Sequence, residues 1–99
     1  MVVLTVTLHV QDGRQSEIQN NFVERFLPAV RRQPGFMDAK LGRALEDAQR
    51  MLLLLTFDTE QQRLAWVNSP EHGPAWDSIA SLCRDFVPVS HEISAGAGL

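Results

Sequence analysis

The chain has no tyrosine, a single cysteine and no long hydrophobic run, and these absences remove whole classes of protein. With Cys83 alone, no intrachain disulfide can form, so a disulfide-stapled secreted scaffold is excluded. A free cysteine behaves as a small hydrophobe and is expected to be buried. The longest apolar run, Met51 to Leu55, is far shorter than the roughly 20 residues that cross a bilayer. Met1 to Val10 is apolar but carries neither the basic leader nor the cleavage site of a signal peptide. Lys and Arg number 9 against 12 Asp and Glu, giving a formal charge of −3 with no basic run. A nucleic-acid groove or a membrane surface is therefore not the expected partner. A cytoplasmic location follows as the expectation. Phosphate-binding glycine loops, cysteine pairs, HExxH and G-x-S-x-G are also missing.

What remains is ordinary globular material. Its 99 residues, 44% hydrophobic and 21% charged, suit one domain. That domain is expected over residues 1–94, with a loose small-residue tail over 95–99. Val2 to Val10 alternates, with Leu4, Val6, Leu8 and Val10 on one side and Val3, Thr5, Thr7 and His9 on the other, which predicts a strand. A helix is predicted over Ser16–Arg32, capped by Ser16, with an apolar stripe of Ile18, Phe22, Val23, Phe26, Leu27 and Val30. Pro28 deletes an amide within it and predicts a kink or an early end.

Gln33-Pro34-Gly35-Phe36 breaks the chain. Phe36 to Leu45, interrupted by charge and glycine, reads as an edge strand, and Arg50 to Asp58 as the most apolar strand. Thr59 and Gln62 open a second helix by capping-box spacing. Ser69 and Pro70 restart it, Gly73-Pro74 is a further point of interruption, and Ala75, Trp76, Ile79, Leu82 and Cys83 give the stripe that follows. Phe86 to Ile93 is the last strand.

The order is βαββαβ, whose usual solution is an antiparallel sheet of order 4-1-3-2 with both helices on one face, a ferredoxin-like α+β fold. In the third strand Met51, Leu53, Leu55 and Phe57 point one way, and Leu52 and Leu54 the other. A strand apolar on both faces needs cover on both, and the helices supply one. A second copy packed sheet to sheet is the simplest remaining cover. At ~25 cal/mol/Å2, burying ~500 Å2 of apolar area per subunit is worth on the order of 12 kcal/mol before association costs. The expected partner is therefore the chain itself, as a homodimer.

Three stretches, Gln33-Pro34-Gly35-Phe36, Leu54 to Thr59, and Ala65-Trp66 with Ser69-Pro70-Glu71-His72, resemble the antibiotic biosynthesis monooxygenase family of the dimeric α/β-barrel superfamily. The resemblance implies a ligand cavity between sheet and helices in each subunit. It also implies oxygenation of a small aromatic, quinol or polyketide-like substrate by O2, with no cofactor and no metal. Such a substrate must itself give an electron to O2, as a phenolate or hydroquinone anion does. The protein has to bind it, take its proton and exclude water.

On that resemblance Trp66 lines the cavity, although a core aromatic is an equal reading. His72 is the candidate base because an imidazole titrates near neutrality, although a polar residue in a first helical turn needs no chemical role. Thr5, Thr7, Phe22 and Phe26 are the candidate substrate-binding residues. His9 and His91 fit the surface better than a site, as do Arg43 and Arg84, and Trp76 fits core or interface. Two departures matter. The tyrosine that polyketide oxygenases of the family place near the substrate is absent. Haem-degrading members have a first-strand asparagine and a later helix histidine where Thr7 and Ala75 stand, which disfavours a haem enzyme. A non-catalytic dimer that holds a small ligand, or whose barrel is merely structural, stays open as the alternative.

Overall fold

A computed structural model describes residues 1–98. The elements are β1 (Val2–Val10), a first helix in three segments, β2 (Phe36–Arg43), β3 (Arg50–Phe57), α3 (Glu60–Val67), α4 (His72–Ala80) and β4 (Cys83–Glu92). The first helix runs as α1 (Gln15–Asn21), a π-helical turn (Phe22–Phe26) and α2 (Leu27–Val30). The four strands form one antiparallel sheet of order β2-β3-β1-β4, the ferredoxin-like arrangement read from the sequence. Residues 93–98 have no regular secondary structure, and Leu99, the end of the expected tail, lies outside the described residues.

The sheet register separates the two faces row by row. On the helix side, Leu41, Leu53, Val6 and Pro88 lie side by side, and Ala39, Leu55, Leu4 and Ser90 form the next row. Against them pack Ile18, Phe22, Phe26, Val30, Trp66 and Ile79, all buried. On the other side the rows are Lys40, Leu54, Thr5, Val89 and Gly42, Leu52, Thr7, Val87. No element of the described chain covers these. Leu52 and Leu54 are only half-buried, while Val87 and Val89 are 51% and 43% exposed.

The first helix differs from its sequence reading at both ends. It begins at Gln15 with Arg14 in the cap position, so Ser16 caps nothing, and Arg14 instead bonds Glu17 in the first turn at 2.5 Å. Pro28 lies inside the helix, which stops two residues beyond it at Val30, short of the predicted Arg32. The preceding residues widen to a π turn in which the Leu27 amide bonds the Phe22 carbonyl five residues back. That turn absorbs the amide that proline lacks, and the helix continues to Val30. Phe22 and Phe26 stay on the inner face, their rings stacked 5.7 Å apart. Val23, counted in the apolar stripe, points outward and is 56% exposed.

Corrections of the same kind apply further along. Phe36–Leu45 shortens to Arg43, and the last strand starts earlier, at Cys83. Ser69 closes α3 rather than opening α4, because its hydroxyl donates to the Trp66 carbonyl at 2.8 Å. Gly73 and Pro74 lie inside the first turn of α4, where an amide is unpaired in any helix, so they interrupt nothing. Cys83 is only partly buried. Thr59 does cap α3, its hydroxyl accepting the Gln62 amide at 3.2 Å. Gln62 does not complete the box: its buried Oε1 has no partner and packs on Gly35.

Gly35 is fixed by two constraints at once. Its φ is +81°, and a Cβ there would sit 2.0 Å from the Gln62 Oε1 and 2.9 Å from its Cβ. Gly35→Ala is expected to cost about 1–3 kcal/mol in urea unfolding. In a Gln62→Ala background only part of that loss should return, since the backbone cost persists. Full recovery would assign the whole effect to the side-chain clash.

Candidate active site

The helices do not fill the space above the sheet completely. A cavity of about 320 Å3 remains between them and strands β1, β3 and β4. Its floor is Leu4, Val6, Leu53 and Leu55, with Phe86, Pro88 and Ser90 on the β4 side. Its roof is Phe26 from the first helix, Arg63, Trp66 and Val67 from α3, and His72 and Trp76 from α4. Val67 and Phe86, 38% and 41% exposed, lie on its solvent side. The void has a local cause. α3 commits one large side chain to the core, Trp66, while Leu64 is 46% exposed. Opposite it, β4 offers a proline and a serine where long aliphatic side chains would fill the gap. Pro88 is tolerated because β4 is an edge strand.

Aromatic contacts brace the walls. Trp66 meets Phe26 edge-on at 5.9 Å and His72 edge-on at 5.1 Å between ring centroids. Trp76 stands edge-on to Phe86 at 5.0 Å. The step that brings His72 onto Trp66 is pinned from outside. Glu71, the residue before it, takes hydrogen bonds from the Arg32 guanidinium and, at 3.2 Å, from the Gln33 amide. The Arg32 guanidinium holds the Glu71 carboxyl below its ordinary range.

Apart from three polar side chains, Arg63, His72 and Ser90, the lining is apolar. Partial burial lowers the His72 pKa from the ordinary 6.5, and the Asp77 carboxylate opposes that shift without cancelling it. His72 is therefore neutral at neutral pH and able to accept a proton. Arg63, which lines the same cavity, is bonded to Glu60 and holds that carboxyl below its ordinary range. Such a pocket suits a small, flat, mostly apolar molecule carrying an acidic hydroxyl. Among the described residues no three His, Cys, Asp or Glu side chains cluster as metal ligands.

Of the residues singled out from sequence, Trp66, His72 and Phe26 come together on the cavity wall. Phe22 stands behind Phe26 and does not reach the void. Thr5 and Thr7 lie on the opposite, open face of the sheet and cannot touch a molecule in this cavity. The Thr5 hydroxyl donates to the Val89 carbonyl at 3.3 Å, and Thr7 borders a separate groove with Arg43, Arg50 and Leu52. His9, on that same face, is bonded to Asp85. His91, Arg43 and Arg84 are exposed. Burial, seconded by Asp85, pushes the Cys83 thiol up, which keeps it protonated and unreactive. Trp76, expected in core or interface, lines the cavity. Arg63, Phe86 and Ser90 were not singled out for this site at all. Ser90 and Phe86 had a signal in strand parity, since both fall on the Pro88 side of β4.

Comparison with known proteins gives a consistent picture. The family model described as antibiotic biosynthesis monooxygenase matches residues 1–77. A 42.8 kDa protein in the whiE locus of Streptomyces coelicolor is 33% identical over 84 residues, 85% of this chain and 21% of that protein. Protein SchA of Streptomyces halstedii is 31% identical over 71 residues, 72% of this chain and 18% of its own length. The chain thus spans about one fifth of the curated relatives it matches. Among solved structures, SnoaB of Streptomyces nogalater, a cofactor-independent oxygenase, superposes with a TM-score of 0.85 at 17% identity, covering 96% of this chain and 94% of that one. A conserved protein from Methanosarcina mazei superposes with a TM-score of 0.83 at 11% identity, covering 94% and 92%. At such identities the structural likeness speaks to the fold.

The environment of His72 makes a signed prediction. Its imidazole should titrate in NMR with a midpoint below 6.5, and Asp77→Asn should lower the midpoint further by removing the opposing carboxylate. Because the folded state disfavours the charged ring, the His72 contribution to stability is full above 6.5 and is lost as pH falls from there toward the folded-state value. A midpoint at or above 6.5 would contradict the assigned burial.

Proposed function

The chain belongs to the antibiotic biosynthesis monooxygenase family, and from that footing we propose that it oxygenates a small phenolic, quinol or polyketide-like molecule held in the Trp66–His72 cavity, without metal or organic cofactor. The observation that carries this reading is a neutral imidazole facing an apolar void beside a tryptophan. The naming of SnoaB as a cofactor-independent oxygenase supports it. A barrel with a merely structural role has no need of a void beside its largest core side chain.

The chemistry balances with substrate and O2 alone. His72 takes the hydroxyl proton, and the resulting anion gives one electron to O2. Radical and superoxide combine at carbon, and the resulting peroxide anion takes the proton back from the His72 imidazolium to give a hydroperoxide. Loss of water from it leaves one oxygen atom as a new carbonyl and the other in water. The substrate supplies all four electrons. The apolar walls contribute proximity, holding the radical pair together long enough to combine.

In this reading two copies pack through the uncovered rows of Leu52, Leu54, Val87 and Val89, closing an α/β barrel with a cavity in each subunit. The compartment that fits is the cytoplasm, where the lone Cys83 stays reduced.

Oxygen consumption on a panel of hydroquinones and anthrones provides the test. Uptake well above the uncatalysed rate is expected for at least one member, and His72→Ala should slow it by about 10²–10⁴-fold. A panel that gives only background oxidation would contradict the assignment. Unchanged turnover in His72→Ala would remove the imidazole as base and leave the oxygenase reading standing.

A further inference from the structure

Arg63 has no task in the chemistry above, yet it is built into the same wall. It lies on α3 three residues before Trp66 and lines the same void. Its side chain is only 14% exposed, whereas that of Glu60, its partner, is 49% exposed. The contact is side-on: Nε and Nη2 each donate to one carboxylate oxygen, the second at 3.1 Å. A guanidinium has five N–H donors in a fixed fork. The Glu60 contact uses two of them, and among the described residues Nη1 has no protein acceptor. Glu60 thus sets the orientation of the fork while much of its own charge is screened by water. The polar side chains that line the void are then those of Arg63, His72 and Ser90, beside the indole N–H groups of Trp66 and Trp76. The Asp77 carboxylate acts on the imidazole through its charge.

We propose that Arg63 binds the substrate's oxygen anion, so that the cavity selects phenols and enols in their ionised form. The proposal rests on the cavity being the substrate site. In the step concerned, the phenolic O–H bond breaks, its proton passes to His72, and the anionic oxygen accepts an N–H from Arg63. No electron moves. The physical argument turns on sign. An apolar cavity alone disfavours charge and raises the pKa of a bound phenol, whereas an adjacent, poorly hydrated guanidinium lowers it. A charge-assisted hydrogen bond of this kind is worth about tenfold to a hundredfold in affinity.

The test uses para-nitrophenol, whose anion has its own visible absorption band, and its methyl ether, para-nitroanisole, which cannot ionise. Binding to the full chain is read from tryptophan fluorescence, and ionisation from the probe's absorbance across pH. Bound nitrophenol should ionise at a lower pH than free nitrophenol, and its anion should bind about tenfold to a hundredfold more tightly than the ether. Arg63→Met should abolish that preference and reverse the shift while the ether still binds. His72→Gln should keep the preference, because the fixed charge is elsewhere. If the ether binds and the bound phenol ionises at a higher pH than the free one, Arg63 does not hold the anion and only this proposal falls. A preference lost in His72→Gln has the same consequence. If neither probe perturbs the tryptophans, the cavity is not a small-aromatic site, and the proposed function falls with it. The sign measured on the unaltered chain decides the matter even if Arg63→Met does not fold.

Discussion

A sheet with two apolar faces and helices enough for only one of them is the constraint from which the rest follows. The helix-side rows of β1 and β3 are almost entirely buried, and together with the first helix, Trp66 and Ile79 they form the core. The opposite rows carry leucine and valine that no element of the described residues covers. Contiguous apolar surface of this kind is uncommon on monomers. It lies on β3 and β4 with the threonines of β1 between them, near the middle of the sheet, where a second sheet could pack against it. In the proposed dimer, folding and association would be coupled through these same residues.

The cavity follows from how thinly the covered face is covered. α3 supplies one large ring, and β4 answers it with Pro88 and Ser90. The gap between them is held open by edge-on aromatic contacts rather than filled. Edge-on packing fixes ring orientation at little cost in area, so Trp66 serves as both core and wall. The Arg32–Glu71–Gln33 cluster ties the end of the first helix to the start of α4 and so fixes the position of His72. Partial burial keeps that ring neutral, and Glu60 keeps Arg63 turned as a fork. His72 and Arg63, two of the three polar side chains of the site, are each set by a residue outside it.

Period and parity carried most of the fold. Alternation in Val2–Val10 and Arg50–Phe57 identified the two central strands, and the apolar character of both faces of β3 exposed the uncovered side. The helix ends were less legible. Ser16 has the right chemistry for a cap, but the turn after β1 puts the cap position two residues earlier, at Arg14, whose side chain pairs with Glu17. Pro28 was a visible problem whose solution, a π turn, depends on Phe22 and Phe26 both finding the core. Trp66, His72 and Phe26 could be named from local motif and stripe. Thr5 and Thr7 could not belong with them, because parity sets both opposite Leu4 and Val6, which face the helices. Arg63 was hidden because a charged residue on a helix with so weak an apolar stripe looks solvated, and only the packing of α3 turns it inward.

Unfolding followed as a function of protein concentration tests the coupling of fold and dimer most directly. The account predicts that the urea midpoint rises steadily with protein concentration, as it must when two unfolded chains form one folded unit, and that sedimentation under native conditions gives twice the chain mass. A compact, cooperatively unfolding single chain at micromolar concentration, with a midpoint independent of concentration, would contradict it.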